Sequence, residues 1–212
     1  MRKILSIVTT LVFFGFTTAI AEMGVGLTGN FASVETSGNQ TLRDGGATTS
    51  ATHDNDVTVP EIFVEIIGDR GAVGLAYIPA QELGSKSRSD SNATGDTGTY
   101  KAAAEVSGHV MLYADVNIAE YANQTFYLKG GIASAELTTQ EDLNSGSTYS
   151  DETVLGATVG LGMKGDVGSN LYYKLDVTYT DYDDYRDTNS VGNTVTAETE
   201  ITSGKISVGY KF

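Results

Sequence analysis

The chain contains no cysteine and no tryptophan, only two prolines in 212 residues, and 13 basic residues against 27 acidic ones. Without cysteine it uses no disulfide, even in an exported, oxidising compartment. A formal charge of −14 argues against nucleic acid as a partner, because phosphate backbones reward basic patches. No apolar run reaches the ~20 residues that a membrane helix needs. The run Ile4 to Phe16 falls short; Arg2 and Lys3 precede it and the small-residue site Ala19-Ile20-Ala21 follows. That order is the signature of a cleavable signal peptide over residues 1–21, with residues 22–212 as one domain. If that domain lies in a membrane it crosses as strands, since hydrocarbon accepts only helices and closed sheets.

What the sequence does have is glycine, 25 of them, and period-2 alternation. Met23, Val25, Leu27 and Phe31 share one face of a first strand. Ile62, Val64 and Ile66 alternate with Glu61, Phe63 and Glu65 on a second, and Val73, Leu75 and Tyr77 with Ala72, Gly74 and Ala76 on a third. A fourth sets Val110, Leu112 and Val116 against Glu105, Ser107, His109, Met111, Tyr113 and Asp115; a fifth sets Phe126, Leu128 and Ile132 against Tyr127, Lys129 and Gly131. Leu155 to Lys164, Leu171 to Thr180 and Thr202 to Phe212 alternate likewise, which makes eight strands.

Short turns at Gly68–Gly71, Asn117–Asn123 and Asp166–Asn170 take turns with long polar stretches at Thr36–Asp56, Gln81–Thr99, Thr138–Asp151 and Asp181–Ala197, which read as loops. This asymmetry predicts an all-β, antiparallel, up-and-down transmembrane barrel with the long loops outside the cell. The acids are expected in the loops, between strands. Pro60 and Pro79 should face each other across the first short turn and mark where regular pairing ends, because proline cannot donate to the ladder.

Magnitudes decide which face meets lipid. A lysine facing lipid near mid-membrane costs roughly 2–4 kcal/mol, so Lys129, Lys174 and Lys205 belong inside and the apolar phase outside. Tyr173, Phe126, Tyr210 and Phe212 then form one aromatic girdle, near the short turns. Phe31, Tyr77 and Tyr179 form the other, near the loops.

The final strand is the most specific feature. Ile206, Val208, Tyr210 and Phe212 occupy every second place up to an aromatic carboxy-terminus. This resembles the terminal signature of the small bacterial outer-membrane barrels of the OmpX/Ail kind, the OmpW kind and the membrane domain of OmpA. The resemblance implies that these four residues are read by the barrel-insertion machinery and that the protein resides in the outer membrane of a Gram-negative cell envelope. Its contacts there would be membrane lipid and lipopolysaccharide, and it would be a monomer. It further implies a non-enzymatic structural role, presenting surface loops; the alternative is a narrow porin-like or OmpW-like channel for small solutes. A soluble exported barrel around an apolar ligand is a third class, requiring the opposite sidedness. The chain ends on the barrel strand, so no OmpA-like periplasmic domain is expected, and no cysteine is available for a lipid anchor.

The inward residues carry both signs: Glu61, Glu65, Glu105, Asp115 and Asp176 with Lys129, Lys174 and Lys205, and His109 beside them. Eight strands enclose a lumen just wide enough for side chains to fill, and buried charges must pair. The expectation is a polar plug rather than a continuous channel, with Asp176 and Lys205 as one ion pair. Glycines at 24, 26, 131, 156, 160 and 162 should leave room for Tyr113, Tyr127 and Tyr172. Ser107, His109 and Asp115 hold the residue types of a hydrolase triad. Residues two apart on a strand lie ~6–7 Å apart, however, too far for a direct Ser-His bond. The acidic stretches Asp181–Asp187 and His53–Asp56 offer carboxylates to a divalent ion but lack the glycine and distal glutamate of a calcium loop. No cofactor, metal centre or catalytic residue is expected.

Overall fold

A computed structural model describes residues 21–41, 48–91, 97–142, 151–188 and 194–212; the leader stretch 1–20 lies outside them. Ten strands are seen: β1 (Glu22–Thr41), β2 (Thr48–Gly68), β3 (Gly71–Ile78), β4 (Gln81–Ser91), β5 (Thr97–Tyr121), β6 (Gln124–Asp142), β7 (Glu152–Val167), β8 (Leu171–Tyr182), β9 (Tyr185–Thr188) and β10 (Thr194–Lys211). They form eight staves, because β3 and β4 both pair with β5, while β8 and β9 both pair with β10. All pairings are antiparallel, and β1 pairs with β10 from Gly24↔Lys211 to Thr41↔Thr194, closing the ring. Below Ile62↔Tyr77 every strand of the ring has a paired neighbour on both sides, which is what a sheet in hydrocarbon requires; above it β2 pairs only with β1 and β4 only with β5.

The stretches expected as long loops are instead largely strand. β1 and β2 stay paired out to Thr41↔Thr48, and β5 and β6 out to Lys101↔Asp142. Polarity was the loop signal, but it reports water on both faces, not the loss of pairing. Thr48, Thr49, Thr52, Val57, Thr58 and Val59 are β-branched and favour the pleated backbone. Regular pairing of β2 with β3 ends at Ile62↔Tyr77, two residues short of the point where Pro60 and Pro79 would meet, as the proline argument requires. Two bulges interrupt β5 against β6, between Ser107 and Val110 and between Asn117 and Ala119. The first contains Gly108 at φ 64°, a left-handed conformation that costs glycine little.

Sidedness follows the lysine argument. Leu27, Phe31, Ile66, Leu161, Val177 and Val208 are each more than half exposed on the outer wall, whereas Lys129, Lys174 and Lys205 are at most 7% exposed inside. On β8 the outward apolar run spans Leu171 to Tyr179, matching the ~9–11 residues of a tilted membrane strand. Above this band the outer face changes character abruptly. Asp54, Glu35, Glu200 and Asp181 are consecutive register partners across β2, β1, β10 and β8. The acids are therefore partly on the strands, not only between them as the sequence reading had it.

Candidate functional site in the barrel lumen

The lower lumen, toward the short turns, is filled by one connected network. Lys174 on β8 sends its ammonium to Glu65 Oε2 at 2.8 Å and Asp115 Oδ2 at 2.6 Å. Tyr113 and Tyr172 donate their hydroxyls to the same Glu65 carboxylate at 2.7 and 2.8 Å. Lys129 lies 3.0 Å from Asp115 and 3.8 Å from Asp176, with its ammonium 4.0 Å from the centre of the Tyr113 ring. Tyr127 donates to Asp176. Each charge thus faces an opposite charge or a hydroxyl, which is the condition for leaving charges in a low-dielectric interior.

Missing side chains make room for this network. A Cβ on Gly162 would lie 2.6 Å from the Tyr127 hydroxyl, one on Gly74 2.5 Å from the Tyr113 ring, and one on Gly24 2.4 Å from the Tyr172 hydroxyl. Of the glycines expected to accommodate these tyrosines, Gly24 and Gly162 do so. Gly26 faces Phe63, Gly156 faces Tyr182, Gly131 faces Met111 and Gly160 faces Thr178. Gly74 and Gly209 perform this role without having been singled out. Their signal was available, since both alternate in phase with inward residues.

The expected ion pair is different from the observed one. Asp176 and Lys205 are direct register partners, yet Lys205 Nζ binds Glu61 Oε2 at 2.6 Å, reaching over β1. Asp176 is drawn instead to Tyr127 and Lys129 on the other side. The lumen curvature brings strands two apart within reach, a contact that neighbour-by-neighbour reading misses. Of the remaining expected lumen residues, Glu65, Lys129 and Lys174 lie in the plug just described. Glu105 lies on β5 where side chains are outside the described residues.

Above the Lys205–Glu61 pair the lumen changes from charged to apolar. A cavity of about 300 Å³ rises along β1 from Asn30 through Ala32 and Val34 to Thr36. Val57, Val59, Met111, Ala135, Val154 and Ile201 supply hydrocarbon from the other staves. Its polar floor holds Asn30, His109, Lys205 and Tyr182. His109 Nε2 and the Tyr182 hydroxyl are 2.9 Å apart, while His109 Nδ1 and Asn30 Oδ1 are buried without a hydrogen-bond partner. The sequence reading missed this cup. Val34, Val57, Val59, Ala135, Val154 and Ile201 lie in the gaps between the expected strands and the expected loops, assigned to neither, so their inward side chains went uncounted.

Among the described residues, no hydrolase triad is assembled in the lumen. Asp115 is held by Lys129 and Lys174 in the plug, and His109 is turned to Tyr182 in the floor above it; the Ser107 side chain is outside the described residues. Among the described residues no cluster of three or more acidic or histidine groups is arranged to hold a metal ion. Ile206, Val208, Tyr210 and Phe212 all lie exposed on the outer wall of β10 and its end.

No protein-family model matches the chain, and no curated protein matches its sequence. Its fold is similar to solved structures. The outer membrane protein OprG from Pseudomonas aeruginosa superposes with a TM-score of 0.53 at 17% identity, over 91% of this chain and 96% of that one. Neisserial surface protein A superposes at 0.49 and 13% identity, over 88% and 99%. The outer membrane protease OmpT from Escherichia coli superposes at 0.47 and 10% identity, over 92% and 99%. The closed ring of eight antiparallel staves, apolar without and ionic within, has the fold of the small outer-membrane β-barrels.

Proposed function

We propose that the chain is a non-enzymatic outer-membrane scaffold whose lumen is closed to ions and whose function is to hold four acidic hairpins beyond the lipid surface. The observation that carries this reading is the plug. Glu65, Asp115, Asp176, Lys129 and Lys174 are each at most 5% exposed, and Tyr113, Tyr127 and Tyr172 fill the space between them. An ion crossing this layer would have to separate charge pairs that have no water to replace their partners. The exterior apolar band supports residence in the outer membrane, with lipid against it and lipopolysaccharide at the height of the acidic row. The exposed aromatic end of β10 supports assembly through the barrel-insertion machinery.

The apolar cup favours a second reading, a narrow conduit for small solutes, because it already hollows the outer half of the lumen. Single-channel recording in planar bilayers separates the two. The scaffold reading expects silence from the unmodified chain and openings once the plug is cut by Lys174→Ala. Stable openings of the unmodified chain overturn it.

A further inference from the structure

The cup above the plug combines three features that do not arise from packing alone. Its walls are mostly hydrocarbon with threonines among them, its floor holds two buried polar atoms without partners, and its surroundings are acidic. A buried polar atom left unpaired costs roughly 1–3 kcal/mol, and good packing would have closed a cavity of this size. Water on the floor would satisfy Asn30 Oδ1 and His109 Nδ1 but would wet the walls of Val34, Val59 and Val154. A molecule with both characters resolves the conflict.

We infer that the cup is a binding site for a small neutral molecule with an apolar body and a terminal hydroxyl, its hydroxyl seated between Asn30 and His109. Size sets the body. About 300 Å³ is twice the ~150 Å³ apolar cavity that takes up benzene, which fits a bicyclic or medium-chain alcohol. The floor sets the head group. Asn30 is 4% exposed and its Oδ1 accepts, so the ligand must donate. His109 Nδ1 donates or accepts according to which tautomer the Tyr182 contact selects, and a hydroxyl answers either. Charge sets the rest. Lys205, among the described residues the one cation lining the cup, is already paired with Glu61 at 2.6 Å; Asp183, between β8 and β9, lines the cup itself, and exposed Glu35, Asp54, Asp56 and Glu200 stand on the strands around it. A carboxylate would approach through that field and find no free cation. The inference does not depend on whether the lumen conducts.

The test uses the full barrel in lipid nanodiscs, with empty nanodiscs subtracted, and the fluorescence of three probes of one shape: 2-naphthol, naphthalene and 2-naphthoate. Saturable one-to-one binding of 2-naphthol is expected, about tenfold tighter than naphthalene, the size of one net buried hydrogen bond, with 2-naphthoate weakest. Asn30→Leu should erase the preference for naphthol while keeping naphthalene; Ala32→Trp should abolish all three. Heat-modifiable gel mobility shows that each variant has folded, and His109→Phe carries the same expectation should Asn30→Leu fail to assemble. Absence of saturable 2-naphthol binding, tightest binding of the naphthoate, or a naphthol preference that survives both floor substitutions overturns the inference.

Discussion

Lys205 and Asp176 face each other across β10 and β8, but the Lys205 ammonium passes over β1 to bind Glu61 on β2 at 2.6 Å. This ion pair is the boundary between the charged lower lumen and the apolar cup. Both partners are nearly dry, at 7% and 5% exposure. Removing one leaves the other charged in low dielectric, which typically costs about 3–5 kcal/mol, whereas removing both is close to neutral. Lys205→Met should therefore lower the temperature of the heat-modifiability transition, and Lys205→Met with Glu61→Leu should restore most of it. Asp176→Leu alone should not produce the same rescue of Lys205→Met. If it does, the pairing runs along the register after all.

Lys174 is predicted to be the costlier lysine. It serves two carboxylates at once, Glu65 at 2.8 Å and Asp115 at 2.6 Å, and its loss would leave them mutually repelling. Lys174→Met should reduce the folded fraction in urea titrations further than Lys205→Met does. Equal effects from the two lysines would mean that the plug is not organised around Lys174.

Room for the tyrosines is the next requirement. Gly162 lies against Tyr127, which has no exposed surface, and a Cβ there would stand 2.6 Å from both the Tyr127 hydroxyl and Asp176 Oδ1. Overpacking of a filled interior costs typically about 1–3 kcal/mol. Gly162→Ala should lower stability by that order, and Gly162→Ala with Tyr127→Phe should recover part of it by removing the hydroxyl that clashes. Gly204, whose added Cβ meets nothing within 4 Å, is the control and should tolerate alanine. A loss at Gly204 equal to that at Gly162 would make the effect one of backbone propensity.

These positions also show what was legible in the sequence. Sidedness was, because a lysine in hydrocarbon is costly enough for Lys129, Lys174 and Lys205 to fix the phase of three strands. So was the aromatic end of β10. The partner of Lys205 was not, since pairs on adjacent strands can be read from alternation but pairs across a closed lumen depend on curvature and stagger. Neither was the cup. Val34, Val57 and Val59 lie in stretches where threonine, serine and aspartate dominate, and their alternation is visible only once β1 and β2 are known to remain paired beyond the lipid.

The row Asp54–Glu35–Glu200–Asp181 places like charges directly opposite one another on neighbouring strands, an arrangement that destabilises a sheet. Reversing the central charge should relieve it. Glu35→Lys is expected to raise thermal stability at low ionic strength, with the gain shrinking as salt screens the row. If the gain is the same in high salt, the effect comes from packing or propensity rather than from charge.

The last prediction concerns how the ring is closed. Phe212 donates its backbone N–H to Met23 at 3.0 Å and accepts from Met23 N–H at 3.3 Å, and its ring stacks on Tyr210 with centroids 6.3 Å apart. Its backbone thus pins the ends of β1 and β10 together, while its side chain, 65% exposed, lies on the lipid side. The two roles separate by substitution. Phe212→Ala keeps both backbone bonds and loses the ring, so spontaneous refolding into detergent should be nearly unchanged while assembly in the presence of the insertion machinery slows. Deleting Phe212 removes the backbone pair as well and should reduce final stability in both settings. If Phe212→Ala assembles at the full rate with the machinery present, the aromatic terminus is only part of the girdle and recognition lies elsewhere in the strand.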